Sequence, residues 1–187
     1  MRRIVFHLMV SLDGYFEGPD ADIGWHRVDE ELHAFFNAQL ATCSAFLEGR
    51  VTYELMEGYW PTADQNPGSS PPEVEFAQIW RSMPKIVYSR TLDAPGPDAT
   101  VVRDVVPDEV RALQAEPGGD MVVGGPVLAA AFREHDLIDE YRLFVSPVVL
   151  GAGRKAFPPG GPPADLDLVE TRAFGNGVVM LRYERSR

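Results

Sequence analysis

A single cysteine, Cys43, stands in a chain of 187 residues. A disulfide framework is excluded, and so is a zinc site built on thiolates. Basic side chains are also scarce: 17 Lys and Arg face 28 Asp and Glu, for a net charge of −11. A phosphate backbone would be repelled overall, so nonspecific nucleic-acid binding is not expected, although a local basic pocket for a phosphorylated ligand is still allowed. Long apolar runs are missing. No stretch approaches the ~20 residues of a membrane span. The opening MRRIVFHLMVSLDG resembles a leader only in part: His7 and Ser11 interrupt it, Asp13 ends it, and no A-x-A site follows. It reads as a first strand. His7, His26, His33 and His135 show no metal spacing, and His7, on a strand face with Met9 and Ser11, reads as a core histidine. There is no G-x-S-x-G, and no Ser-His-Asp arrangement can be inferred. A soluble cytoplasmic protein with no membrane or nucleic-acid partner is expected.

What is present is ample apolar content, 45%, and one stretch that organises the chain, Asp120 to Gly153. Met121-Val122-Val123 reads as a buried strand. Gly124-Gly125 ends it, Pro126 suits a first helical residue, and Leu128, Ala129, Ala130 and Phe132 follow as a short helix. A turn at His135-Asp136 leads to a second strand over Tyr141 to Leu150. Strand, glycine pair, helix and strand make a βαβ unit with parallel strands. The glycines let a ligand approach the backbone, and the helix N-terminus behind them suits a phosphate. The plain alternative is a tight turn with nothing bound, since the full G-x-G-x-x-G pattern is absent.

Before this unit, Arg3 to Leu12 reads as a central strand, and Asp29 to Leu40 as a helix with an acidic first turn. Ser44 to Leu47 reads as a strand, followed by a short helix carrying Tyr53, Leu55 and Met56. Residues 61–73 read as a Pro/Gly/Ser-rich loop, Val74 to Arg81 as a helix, and Pro84 to Ser89 as a strand. Thr100 to Arg103 is a weak strand and Pro107 to Leu113 a helix. After the central unit, 158–163 is a loop. Leu166 to Phe174 and Val178 to Glu184 form a hairpin around Gly175-Asn176-Gly177. No repeat or composition shift divides the chain, so residues 1–187 are expected to form one α/β domain. Its sheet is mixed and mostly parallel, with helices on both faces and an antiparallel C-terminal hairpin.

Ligands of such sheets sit beyond the carboxyl ends of the strands. Ser11–Gly14, Gly49–Thr52, Ser89–Thr91 and Gly124–Gly125 are expected there. Gly49 permits close approach, Arg50 offers a fork for a phosphate, and Thr52 a hydroxyl. Ser89, Arg90 and Thr91 repeat that recipe. Alone, the Gly49–Thr52 turn reads as an ordinary cap with a solvated arginine, and Ser89–Thr91 as a polar turn. Together they suit a dinucleotide carrying an extra ribose phosphate. Asp13, at a strand end, is the leading carboxylate: partial burial would raise its pKa and let it give or orient a proton. The alternative is an Asp-Gly turn. Tyr15 and Trp25 can stack on a flat ring or cover the core edge. Asp29 and Glu30 offer a second acidic option, with dipole complementarity as the plain reading. Asp136, Asp139 and Glu140 read as a solvated turn.

SLDGY at 11–15, EGRVTYE at 48–54, PKIVYSRTL at 84–92, VVGGPVLAAAF at 122–132 and LIDEYRLFVSPVVLGAGRKAFP at 137–158 together resemble the stand-alone relatives of the riboflavin-biosynthesis reductase domain. That domain is the C-terminal half of a bifunctional deaminase-reductase and has a dihydrofolate-reductase-like three-layer fold. The resemblance implies an NADPH-dependent reductase. It implies that Gly49, Arg50, Thr52, Ser89, Arg90, Thr91, Gly124 and Gly125, with Pro126 and Val127 continuing the turn, hold the cofactor. Asp13, Tyr15, Trp25 and Glu30 fall on the substrate side. It also implies a homodimer, with Phe144, Val148 and Val149 as a possible face. The deaminase half is missing, because no H-x-E with a later P-C-x-x-C is present.

The reaction implied is hydride transfer to a C=N or C=O carbon of a small polar, aminopyrimidine- or pteridine-like substrate, with Asp13 or a water it holds steering the proton. One alternative is a nucleotide-binding or interaction protein that keeps the fold without turnover. Another is dihydrofolate reductase-type activity. Asp29 and Glu30 lie near the substrate-carboxylate position of those enzymes, but the spacing from Trp25 to Gly49 does not match closely.

Overall fold

The computed structural model of the chain describes residues 1–159 and 161–186; Gly160 of the 158–163 loop and Arg187 lie outside it. Strand β1 (Ile4–Ser11) runs through the middle of the molecule, and its Ile4, Val5 and Phe6 are fully buried. Both faces of this strand are apolar, as a central parallel strand requires. A short β2 (Tyr15–Glu17) follows, then α1 (Glu30–Leu40), β3 (Cys43–Gly49), α2 (Arg50–Glu57), α3 (Pro71–Ser82), β4 (Lys85–Tyr88) and β5 (Ala99–Val102). The second half holds α4 (Pro107–Ala115), β6 (Asp120–Gly124), α5 (Pro126–Glu134), β7 (Glu140–Ser146), β8 (Arg154–Lys155), β9 (Leu166–Ala173) and β10 (Val179–Arg185).

The main sheet has the order β5-β4-β3-β6-β1-β7-β10-β9. Neighbours from β5 to β7 pair in parallel, and β10 is antiparallel to both β7 and β9. The β6-α5-β7 crossover is present, but β1 lies between its two strands: Val5 stands opposite Val122 on one side and Glu140 on the other. One sheet face packs Phe6, Leu47 and Val123 against Leu128 and Phe132 of α5 and Val110 of α4. The other packs Phe46 and Val122 against Trp80 and Phe76 of α3, and Met9 and Phe144 against Leu32 of α1. Each large side chain buried there contributes roughly 1.5–3 kcal/mol. The architecture is the expected mixed, mostly parallel sheet between helices.

Several local expectations are corrected. Residues 61–73 are not all loop. A 3-10 turn covers Trp60–Gln65, and α3 begins at Pro71. Proline fits the first helical turn, and Glu73 Oε2 accepts from both the Ser70 N–H (2.8 Å) and the Ser70 hydroxyl (2.9 Å). The strand expected to reach Leu150 stops at Ser146, because Pro147 lacks the donor that would continue the ladder. The remainder turns back to pair loosely with β2, through the two-residue β8. Phe144 is fully buried, so it belongs to the core and not to a dimer face.

Glu140 is not solvated either. It is fully buried, and Arg182 Nε and Nη2 both donate to it at 3.0 Å. Arg3 stands 3.0 Å away, and Arg142 closes the cluster. Asp139 is also engaged: its Oδ2 accepts from the Ile4 N–H at 3.0 Å and from Gln114 at 2.8 Å. Of the three acids, only Asp136 is exposed. A buried carboxylate survives only when paired, and the pairing here comes from strands remote in sequence.

Candidate functional site

The carboxyl ends of β4, β3, β6 and β1 are adjacent in the sheet, so their tips form one rim. Register fixes the neighbours: Gly49 stands opposite Tyr88, and Glu48 opposite Gly124. Gly49 is the N-cap of α2, in extended conformation. Gly125 is the N-cap of α5, with φ +82°, a conformation that favours glycine. Pro126 follows as a buried first helical residue, and Val127 is exposed. Two helix starts therefore open side by side. The N–H groups of a helix's first turn have no partner within the helix, and they carry partial positive charge.

Thr52 braces the turn. A β-carbon on Gly125 would meet Thr52 Oγ1 at 2.5 Å, and one on Gly124 would meet Glu48 Oε1 at 3.5 Å. The missing β-carbons at Gly124 and Gly125 make room for side chains of β3 and α2, which pack directly against the turn. On the next tip, Ser89 is buried, and its Oγ accepts from the Thr91 N–H (3.2 Å) and the Leu92 N–H (3.0 Å). Thr91 and Arg90 are exposed. Arg90 pairs with Asp104 through Nε at 2.7 Å, and Arg50 pairs with Glu54 at 2.8 Å.

On the other side of β6, Asp13 follows β1. Its carboxylate accepts from Ser11 Oγ (2.7 Å), the Leu150 N–H (3.1 Å) and the Gly151 N–H (2.8 Å). Burial pushes its pKa up, but these hydrogen bonds outweigh it and bring the group down to about 2. The expected rise is corrected: Asp13 is a fixed carboxylate that ties the 147–153 segment to β1. Tyr15 has Lys155 Nζ 3.8 Å from its ring centroid, and its hydroxyl donates to Gly151 O at 3.4 Å. Trp25 is half-buried and donates from Nε1 to Asp22 O at 3.0 Å. Glu30 is exposed as the first residue of α1, and Asp29 caps that helix by accepting from the Leu32 N–H at 3.0 Å.

This geometry can be set beside known proteins. The model of the RibD C-terminal domain matches residues 2–180. The chain belongs to that family. Uncharacterized protein YyaP of Bacillus subtilis (strain 168) is 34% identical over 183 residues, covering 97% of this chain and 94% of the relative. Uncharacterized protein YwjB of the same organism is 26% identical over 187 residues, covering 99% of each. A crystal structure of a putative riboflavin biosynthesis protein from Shewanella sp. PV-4 superposes with TM-score 0.75 at 22% identity, over 100% of both chains. The diaminohydroxyphosphoribosylaminopyrimidine deaminase/5-amino-6-(5-phosphoribosylamino)uracil reductase of Thermotoga maritima gives TM-score 0.67 at 18% identity, over 99% of this chain and 57% of that one. At these identities, the two structures show the fold.

In this RibD C-terminal domain, one rim residue escaped the sequence reading. Glu48 is 3% exposed, and its Oε2 is sealed from solvent without a partner. Burial pushes its pKa up to about 8; Lys85 opposes the rise, and Glu57 adds to it. The signal was an acid directly after the apolar run Ala45-Phe46-Leu47, one residue before the tip glycine. Two clefts lie away from the rim. One, of about 250 Å³, is lined by Arg133, Ile138 and Tyr141; the other, of about 240 Å³, by Tyr53, Lys85 and Asp98. Among the described residues, no cluster of His, Cys, Asp and Glu could hold a metal ion, and no helix is long and apolar enough to cross a membrane.

Proposed function

We propose that this RibD C-terminal domain is an NADPH-dependent reductase acting on a C=N or C=O carbon of a small polar, aminopyrimidine- or pteridine-like substrate. The observation that carries the reading is the glycine turn at Gly124–Gly125, where the starts of α2 and α5 stand together and Thr52 packs against the turn. Such a turn suits a pyrophosphate. The bound dinucleotide supplies the hydride.

The chain's own residues bind and orient. Gly49, Gly124, Gly125, Pro126 and Val127 would cradle the pyrophosphate, and Thr52 would hold the turn that does so. Arg50 and the Ser89-Arg90-Thr91 tip would take the remaining phosphate. Both arginines are held only by exposed ion pairs, worth about 1 kcal/mol or less, so a phosphate displaces Glu54 or Asp104 at small cost. Tyr15, Trp25 and Glu30 form the substrate side. Asp13 stays ionised and positions the Leu150–Gly151 backbone, so the proton of the reaction comes from elsewhere. The pyrimidine substrate class is supported by the likeness to the Thermotoga maritima deaminase/reductase.

Titration with NADPH and NADH, followed by nicotinamide fluorescence, tests the reading. NADPH binds in preference to NADH, and Arg90→Ala weakens NADPH by the larger factor. Equal loss for the two dinucleotides removes Arg90 as the reader of the ribose phosphate, and no binding of either rejects the reductase.

A second reading, nucleotide binding without turnover, is favoured by the one carboxylate at the β1 tip being fully committed to Ser11, Leu150 and Gly151. Binding with no oxidation of NADPH on any pteridine or aminopyrimidine supports it.

The proposal extends to a cytoplasmic homodimer. Strand β9 is an edge strand exposed along its whole length, with Leu168 58% and Val169 46% exposed. An edge of this kind is a template for pairing. Light scattering on Leu168→Lys should report a monomer where the natural chain gives twice that mass.

A further inference from the structure

Glu48 packs directly against the glycine turn. Its Oε1 is 3.5 Å from where a Gly124 β-carbon would stand, and Thr52 Cγ2 is 3.6 Å from the same point. Its Oε2 has neither a protein partner nor solvent. An isolated carboxylate buried in this way is costly, whereas a neutral carboxyl is tolerated. The groups facing it do not neutralise it. From β4 comes Lys85, whose Nζ donates to Trp80 O instead. From α2 come Glu57, which accepts from Trp80 Nε1 at 2.9 Å, and Tyr53, whose hydroxyl accepts from the Gly96 N–H at 2.7 Å. Asp98, before β5, faces Lys85 and Tyr53. β6 offers only the Gly124 backbone at this point.

We infer that Glu48 is a proton-linked gate of the strand-tip site: a phosphate-class anion binds over Gly124–Gly125 while the Glu48 carboxyl is protonated and is rejected when it is charged. This rests on the dinucleotide reading above only for the identity of the anion. The physical reason is repulsion between the anion and a carboxylate that packs against the same glycine turn. The helix starts that attract an anion to the turn are opposed by a negative charge at Glu48 Oε1, which packs against Gly124 beside Thr52. Linkage makes the effect reciprocal: an anion in place raises the Glu48 midpoint further.

The test uses sulfate, whose charge is constant over the range, and NADPH, between about pH 6 and about pH 10. Binding is measured on the natural chain and on Glu48→Gln, and the Glu48 carboxyl is followed by ¹³C NMR in the natural chain. The natural chain should lose affinity for sulfate about tenfold for each pH unit above the midpoint, and Glu48→Gln should show a flat profile. Saturating sulfate should move the Glu48 midpoint upward. A midpoint unmoved by sulfate overturns the gate even if the variant does not fold, and so does a Gln variant that keeps the natural pH profile. If NADPH fails to bind at every pH while sulfate still moves Glu48, the reductase reading falls and the gate stands. If NADPH binds and Glu48 does not respond to it or to sulfate, the gate falls and the reductase reading stands.

Discussion

Thr52 Oγ1 stands 2.5 Å from the point that a β-carbon on Gly125 would occupy. That single approach joins the first turn of α2 to the first turn of α5 and leaves no room for any other residue at 125. The backbone there, at φ +82°, adds a second barrier to substitution. Gly125→Ala should cost about 1–3 kcal/mol by chemical denaturation. Adding Thr52→Ala should recover the steric part and leave the conformational part, so the double variant should lie between the single Gly125→Ala variant and the natural chain. A Gly125→Ala variant as stable as the natural chain would contradict this packing.

Glu140 gathers Arg3, Arg142 and Arg182 around one buried carboxylate. Removing the acid strands the guanidiniums. Glu140→Ala should lower stability by about 3–5 kcal/mol, whereas Glu170→Ala, at the exposed margin of the same cluster, should change it by under about 1 kcal/mol. Urea denaturation of the two variants side by side decides it, and equal losses would mean that the buried cluster carries no special weight.

His7 packs between Phe36 and Phe144, with ring centroids 4.8 and 4.6 Å away, and its Nδ1 has no partner. Burial, reinforced by the charge of Arg142, lowers its pKa from 6.5 to about 3. The unfolded chain binds a proton below 6.5 that the native chain refuses until about 3, so stability falls as pH drops through that window. His7→Phe should flatten this acid limb, with a difference on the order of a few kcal/mol at its lower end. Thermal denaturation from neutral to acidic pH reads it out, and an unchanged acid limb would show that the loss comes from other groups.

Asp13 works in the opposite direction from an acid catalyst. Its pKa is brought below the ordinary 3.8 to about 2, so its contribution is present above 3.8 and is lost as pH falls through about 2. Asp13→Ala should speed hydrogen exchange at the Leu150 and Gly151 amides, the two N–H groups it accepts from, while leaving the β1 core amides protected. Unaltered exchange at those two amides would remove Asp13 from the role of latch.

Glu48 and Glu140 were hard to read for the same reason. Each sits in or beside an apolar run, which marks it as buried, but its surroundings come from far along the chain. Lys85 and Glu57 decide the state of Glu48, and Arg3 and Arg182 decide that of Glu140. The two-residue β8 and the 3-10 turn at Trp60–Gln65 escaped because such short pieces carry no periodic signal. The start of α3 is illegible in sequence because Pro71 and Pro72 resemble a loop, and only the closure of Glu73 on Ser70 makes them a helical turn.

By itself the sequence determined the order of the main-sheet strands and the α-helices, the central place of β1, the glycine turn after β6 and the C-terminal hairpin. All of these follow from apolar periodicity and from glycine and proline, which act within a few residues. Only the tertiary structure decided that β1 lies between β6 and β7, that Asp13 is a pinned carboxylate, and that Glu48 is sealed behind Gly124. Strand order and the charge of a buried group depend on which distant segments exclude water from it, and that is settled when the sheet closes.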